Sequence, residues 1–458
     1  MSTFFIKDNP LHIPEVRSCV SRYVSVADAI SCVRVSKDWS TDFAFLIWFA
    51  VNFNTHSSFE QLNATVIARH GHLIRKIHNL STQGQLNALL HPNISNVRVL
   101  SLSCTTTARF RILCMDLVSN NNKSLETLSM KMYTDDLSVR TISLDAVVPH
   151  LSDSRLTTIT LRNVCVSRAS FVALLKGCPL LTSVSMLINI ALLSGPSIDT
   201  FQHTGVASLS VNLEGVFKPD PDSEVSALGF SLLAHFPNLN HWTLYPLEAT
   251  LIDPIEHIIA EVKLCCPKVS QVYTWTTQRP LLYNLLARVF RNLVKVIFAY
   301  EQLSADVVLA LLLHKATLIE VSTTCDNKED NTERDHIPIE SDHFQTSGLA
   351  IQLLLRSYQN LTAFKLERHE MYMDIVEEAE WVCKGLRSFR VRVRGLDTTE
   401  KINRTLELWA DGRKNKSQFT QIETNDMSIE ARVARHLLTF DNLERVWLGT
   451  RTRIVKLG

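Results

Sequence analysis

The sequence predicts an α/β fold, a solenoid with parallel strands on its concave side and helices outside, preceded by a small all-α segment. Three observations carry this. A hexamer of the form apolar-x-x-apolar-x-apolar recurs along most of the 458 residues, helical stretches fall between its copies, and residues 10–50 follow a different rhythm.

The hexamer starts at Val97 ("VRVLSL"), Leu125, Leu156, Leu181, Val206, Leu239, Val269, Leu293, Leu318, Leu361, Leu386, Phe419 ("FTQIET", weaker) and Leu443 ("LERVWL"). Most starts are 24 to 33 residues apart. Its last four positions alternate, which predicts a short strand with one buried face. Between strands, "SRASFVALLKGCP", "IEHIIAEVKLCCPK", "SADVVLALLLHKAT" and "TSGLAIQLLLRSYQN" show apolar residues at helical spacing. Pro179, Pro237 and Pro267 stand between helix and strand, where a helix must stop. One such helix and strand cannot bury their own faces, so the units must stack. The wide gap from 318 to 361 holds an insertion at 325–343 with seven Asp or Glu against two Lys or Arg. It has little apolar surface to offset the entropy of ordering, so a mobile loop is expected there.

The repeat resembles the leucine-rich repeat in its longer, ribonuclease-inhibitor-type form, which implies a horseshoe with outer helices. Ahead of it, Val16, Val20, Tyr23 and Val24 suggest one helical face, and Ala29, Ile30, Val33 and a turn bearing Trp39 suggest further helices. This N-terminal segment resembles an F-box. Ile13-Pro14-Glu15-Val16 matches the family's opening, Val20 and Val24 its spaced aliphatics, Asp28-Ala29-Ile30 its Asp-Leu-Leu, and Val35-x-x-x-Trp39 with Trp48 its tryptophan pattern. The opening is one residue shorter than the common form, and Arg17 and Ala29 stand where larger apolar residues are usual. The boundaries expected are 8–55 for the F-box-like segment and 56–458 for the repeats.

Composition excludes little and suggests no chemistry. The net charge of +1 gives no global argument for nucleic acid or membrane as partner. The longest apolar run, at 43–51, is far short of the ~18 residues a bilayer span needs. No signal peptide is apparent. Ten cysteines without a C-x-x-C array read as reduced thiols of the cytoplasm or nucleus, with Cys19, Cys32, Cys165 and Cys383 inside apolar patterns. No phosphate-cradling or nucleophile motif occurs. Arg69-His70-Gly71 is the triplet of histidine phosphatases, but it sits in a short segment running into the repeats. His70 and His72 lack a third metal ligand by spacing. The expectation is a protein that is not an enzyme and needs no cofactor or metal.

The two resemblances together imply a substrate receptor of a Skp–cullin–F-box ubiquitin ligase; the alternative is a leucine-rich-repeat interaction scaffold without a ligase link. On the first reading Ile13, Pro14, Val16, Val20, Val35, Trp39 and Trp48 would form the adaptor-binding segment, with Skp-type adaptor and cullin as partners. The outward strand positions would bind the target. They are small hydroxyl residues early, then His241, Tyr245, Tyr273 and Trp275, and later Lys295, Lys365, Arg390, Arg392, Arg445 and Trp447. Aromatics beside Arg concentrate interface energy, which suggests a target segment that is acidic or phosphorylated.

Overall fold

Strand after strand pairs in parallel with its sequence neighbour, as a solenoid requires. The structure is a computed structural model. It describes residues 13–55, 64–104, 108–132, 148–151, 154–162, 168–187, 201–212, 232–244, 263, 267–274, 279–299, 303–324, 341–377, 380–396, 398–414 and 427–448. By internal contact the chain forms two compact units, Met1–Val206 and Ala207–Gly458. No described helix is long and apolar enough to cross a membrane.

The first unit opens with three helices, α1 (Pro14–Ser21), α2 (Val26–Cys32) and α3 (Lys37–Trp48). Each start has a local cause. Pro14 stands in the first turn of α1, where its missing N–H costs nothing. Ser25 and Ser36 cap α2 and α3 by accepting from the Asp28 and Trp39 amides. Helix α1 ends at Ser21, which leaves Tyr23 in a turn and exposed rather than on a helical face with Val16 and Val20.

Six parallel strands follow: β1 (Ala50–Asn52), β2 (Lys76–Leu80), β3 (Val99–Cys104), β4 (Thr127–Met132), β5 (Thr158–Arg162) and β6 (Ser183–Leu187). From β3 to β6 the register is exact: Leu100, Leu128, Ile159 and Val184 lie opposite one another, as do Leu102, Met130, Leu161 and Met186. These residues and the hexamer leads Val97, Leu125, Leu156 and Leu181 are wholly buried.

Strands β1 and β2 lie outside the predicted set. Trp48, Val51 and Phe53 carry the hexamer spacing, and Val51 pairs with Ile77. The solenoid therefore begins at Ala50, inside the stretch assigned to the helical segment. In β2 the pattern is broken because Asn79 adopts a positive φ of 57°, and the register shifts so that Leu80 faces Leu102. A left-handed residue inserted in a strand moves the next apolar side chain by one position.

The second unit holds β7 (Ser208–Asn212), β8 (His241–Leu244), β9 (Gln271–Thr274), β10 (Lys295–Ala299), β11 (Glu320–Thr324), β12 (Ala363–Met371), β13 (Ser388–Val393) and β14 (Arg445–Leu448). All pair in parallel in chain order. The expected helices are present at Arg168–Gly177 in the first unit and at Ala305–Leu312 and Ser341–Ser357 in the second; the one expected over 255–268 lies almost wholly outside the described residues. So does most of the acidic insertion, of which only the helix start from Ser341 is described. The weak hexamer at Phe419 lies outside the described residues. β13 pairs directly with β14, Ser388 opposite Arg445. The described parts of the chain between them include the helices Thr399–Lys414 and Ile429–Leu437. Gly395 ends β13 at φ 92°, where a side chain would also collide with Ile429.

The turns repeat one device. A backbone amide at the hexamer's second position bonds to the preceding repeat, as in Thr182 N to Thr157 O at 2.8 Å and Ile319 N to Val294 O at 2.8 Å. Polar side chains ahead of several hexamers add cross-repeat bonds. Asn121 accepts from Val97 N at 2.9 Å, and His203 and His314 reach the Cys178 and Leu286 carbonyls at 3.0 and 2.8 Å. Cys383 is buried as expected and Cys32 half-buried, but Cys19 is exposed on α1.

Candidate functional site: the strand face and the N-terminal helices

Alternation along each strand sends the residues between the buried ones to the opposite face. In the first unit this face is lined by short hydroxyl side chains in register, Ser101, Ser129, Thr160 and Ser185, beside Ser103, Lys131 and Arg162.

The second unit differs. Its first outward row runs His241, Gln271, Lys295, Glu320, Ala363, Ser388 and Arg445 across β8–β14, and its second runs Thr243, Tyr273, Ile297, Ser322, Lys365, Arg390 and Trp447. The structure thus brings eight of the ten predicted target-binding residues to one face. Tyr245 and Trp275 lie outside the described residues.

Neighbours on this face are already engaged with one another. The His241 ring stacks on Tyr273 with centroids 4.7 Å apart, and its Nε2 lies 3.2 Å from Thr243 Oγ1. Burial, with Lys295 nearby, holds the imidazole below its ordinary pKa and so neutral at pH 7. Lys295 Nζ sits 5.3 Å from the Tyr273 ring centre and 2.9 Å from Glu320 Oε2. Lys365 Nζ reaches the other Glu320 oxygen at 3.3 Å. Burial opposes charge on Lys295 and Glu320, but the pairing outweighs it, raising the lysine pKa and lowering that of the carboxyl. Arg392 pairs with Glu370 at 3.3 Å.

Sequence reasoning missed both carboxylates. At least three of the predicted cations therefore hold an internal partner, and among the described residues the face is a mixed-charge ladder. Arg445 is exposed and Trp447 half-buried.

The N-terminal helices bury Ala29, Phe43 and Ala44, with Arg17 also buried and ion-paired to Asp42. This explains the charged residue at an apolar position: Asp42 on α3 compensates it, and loss of one partner would strand the other. Trp39 is half-buried and stacks on Phe43 at 5.1 Å. Trp48 is half-buried and stacks on His70 at 5.1 Å and 11°, so it ties α3 to the helix Ala64–His70. Val16 and Val20 are half-buried, Ile13 and Val35 exposed, and Pro14 opens α1. Together Ile13, Tyr23, Val26, Ile30, Val35 and Phe45 are between 41 and 90% exposed.

In the Arg69-His70-Gly71 triplet, His70 stacks on Trp48, and Gly71 stands in a turn where a Cβ would lie 2.9 Å from Ile94.

No family model matches the chain, and no curated protein matches it in sequence. Among solved structures the chain is similar to the crystal structure of the leucine-rich-repeat-containing protein LegL7 from Legionella pneumophila, at 10% identity and a TM-score of 0.36, over 61% of this chain and 87% of that one. The fold assignment rests on the strand order and register themselves: two units of stacked strand-plus-helix repeats with parallel pairing.

Proposed function

We propose that the protein is the substrate-recognition subunit of a Skp–cullin–F-box ubiquitin ligase, with the N-terminal helices binding the Skp adaptor and the strand face of the second unit binding a target protein. The observation that carries this is the distribution of exposed apolar side chains. Of fourteen large hydrophobic residues exposed among the described residues, six fall between Ile13 and Phe45. A helical module this small that leaves so much apolar surface uncovered is suited to docking on a partner. The chain itself catalyses nothing on this reading; it brings a target close to the ubiquitin-charged enzyme.

A second reading has its own support. The stack of Trp48 on His70 and the step from α3 into β1 make the helices a cap on the first strand, as a scaffold without a ligase link would also need.

Co-precipitation of the Skp adaptor and cullin separates the two. Deleting residues 1–55 would remove β1 as well, so a point change is the better probe. Trp39→Ala removes the half-buried ring packed on Phe43, at a cost below the ~3–5 kcal/mol of a fully buried aromatic. Adaptor binding should be abolished while the repeats stay folded by circular dichroism; undiminished adaptor recovery would sink the ligase assignment.

A further inference from the structure

A second group of exposed apolar side chains lies on three neighbouring helices of the second unit. Tyr283, Leu309, Leu313, Leu349 and Leu353 are between 38 and 65% exposed. They stand on the helix Arg279–Asn284, on Ala305–Leu312 with its C-cap Leu313, and on Ser341–Ser357. Each of these helices packs against the next. By contrast, Arg168–Gly177 turns Ala173 and Lys176 outward, and Thr399–Lys414 turns out Arg404, Glu407 and Asp411. Helical spacing puts Asp306, Leu309 and Leu313 in one outward row, and Leu349, Leu353 and Arg356 in another. Asp306 and Arg356 are both exposed. The two rows match in reverse with the charge inverted. From Asp306 the leucines follow at three and seven residues; before Arg356 they stand at three and seven.

We propose that this surface joins two copies of the chain about a two-fold axis passing between Ala305–Leu312 and Ser341–Ser357. Each of the two helices then lies antiparallel to the other helix of the partner. In that register Leu309 meets the partner's Leu353, Leu313 meets the partner's Leu349, and Asp306 meets the partner's Arg356. The symmetry makes every one of these contacts twice. A second copy thus supplies both the leucines and the opposite charge at each end, which is the complementarity an isologous interface requires. The five apolar side chains at this exposure present roughly 350 Å² of apolar surface. A standard interface takes roughly 450 Å² of apolar area from each partner. The shortfall makes the dimer weak and concentration-dependent. The inference rests on neither the adaptor nor the target.

The test is sedimentation equilibrium of the full chain from low to high micromolar concentration. The wild type should pass from monomer to dimer over that range. Leu309→Lys should weaken the dimer about tenfold or more. Asp306→Arg sets an arginine against the partner's Arg356, and Arg356→Asp sets an aspartate against the partner's Asp306. Each should weaken the dimer about fivefold, and the chain carrying both should return to within about twofold of the wild type. That recovery is something a mere loss of folding would not produce, and each variant should keep its circular dichroism spectrum. Val35→Asp, on the N-terminal helices, should leave the dimer unchanged. A monomer throughout the range, a dimer that survives Leu309→Lys or is lost in Val35→Asp, or no recovery in the double variant would overturn the proposal.

Discussion

Trp381→Ala should destabilise the second unit by about 5 kcal/mol. Trp381 is buried where several repeats meet: its ring lies 5.6 Å from both Phe389 and Phe440 and 4.2 Å, edge-on, from His436. Its Nε1–H donates to Gln352 Oε1 at 2.6 Å, and Gln352, itself buried, donates in turn to the Val376 carbonyl. Removing the indole forfeits ~3–5 kcal/mol of packing and leaves the Gln352 oxygen buried without its donor, at ~1–3 kcal/mol more. Relaxation around the cavity will recover part of that total. Trp381→Phe keeps most of the packing and isolates the hydrogen bond, so it should cost ~1–3 kcal/mol. Urea denaturation of the two variants checks the order; equal, small shifts would mean that the aromatic cluster does not hold these repeats together.

Acid should weaken the same region through His436. Burial pushes its pKa down to about 4, and its Nε2 has no hydrogen-bond partner among the described residues. The facing charges work in both directions: Glu377 favours the imidazolium, while Lys384 and Arg435 oppose it. In the unfolded chain the group titrates near 6.5, so between pH 6.5 and 4 the unfolded state binds the extra proton. Stability is therefore complete above pH 6.5 and falls as the pH drops through that window. From the two pKa values the loss is about 3 kcal/mol by pH 4. His314, also held below its ordinary pKa by burial, acts in the same direction. His436→Phe removes the titration while filling the space, so its stability should fall less than that of the wild type between pH 7 and 4. Parallel unfolding curves at the two pH values decide this, and an identical acid loss in the variant would show that His436 is not the sensor.

The repeat was legible because each strand needs three buried apolar residues at fixed spacing, and stacking reproduces that need in every unit. What escaped had local causes. β2 was hidden by the left-handed Asn79, which displaces Leu80 from its expected position. β1 was hidden because Trp48 serves two patterns at once, the end of α3 and the lead of the first hexamer.

The site divides in the same way. Periodicity placed Lys295, Lys365, Arg390 and Trp447 on the correct face. The same rule also places Glu320 there, two residues after Leu318, and counting cations without carboxylates concealed it. Glu370 was not legible, because a register shift between Lys365 and Glu370 brings it opposite Arg392. Asp42 as the partner of Arg17 could not be read either, since the pair joins separate helices.

On the proposed function, the exposed apolar side chains of the N-terminal helices form an adaptor-binding surface. Val35 tests it most directly, being 64% exposed and therefore replaceable without disturbing the core. Titrating purified Skp adaptor against the full chain and against Val35→Asp, with melting curves of both, separates surface from fold. The wild type should bind saturably, and Val35→Asp should lose at least tenfold in affinity at unchanged melting temperature. No binding by the wild type, or equal binding by the variant, would contradict it.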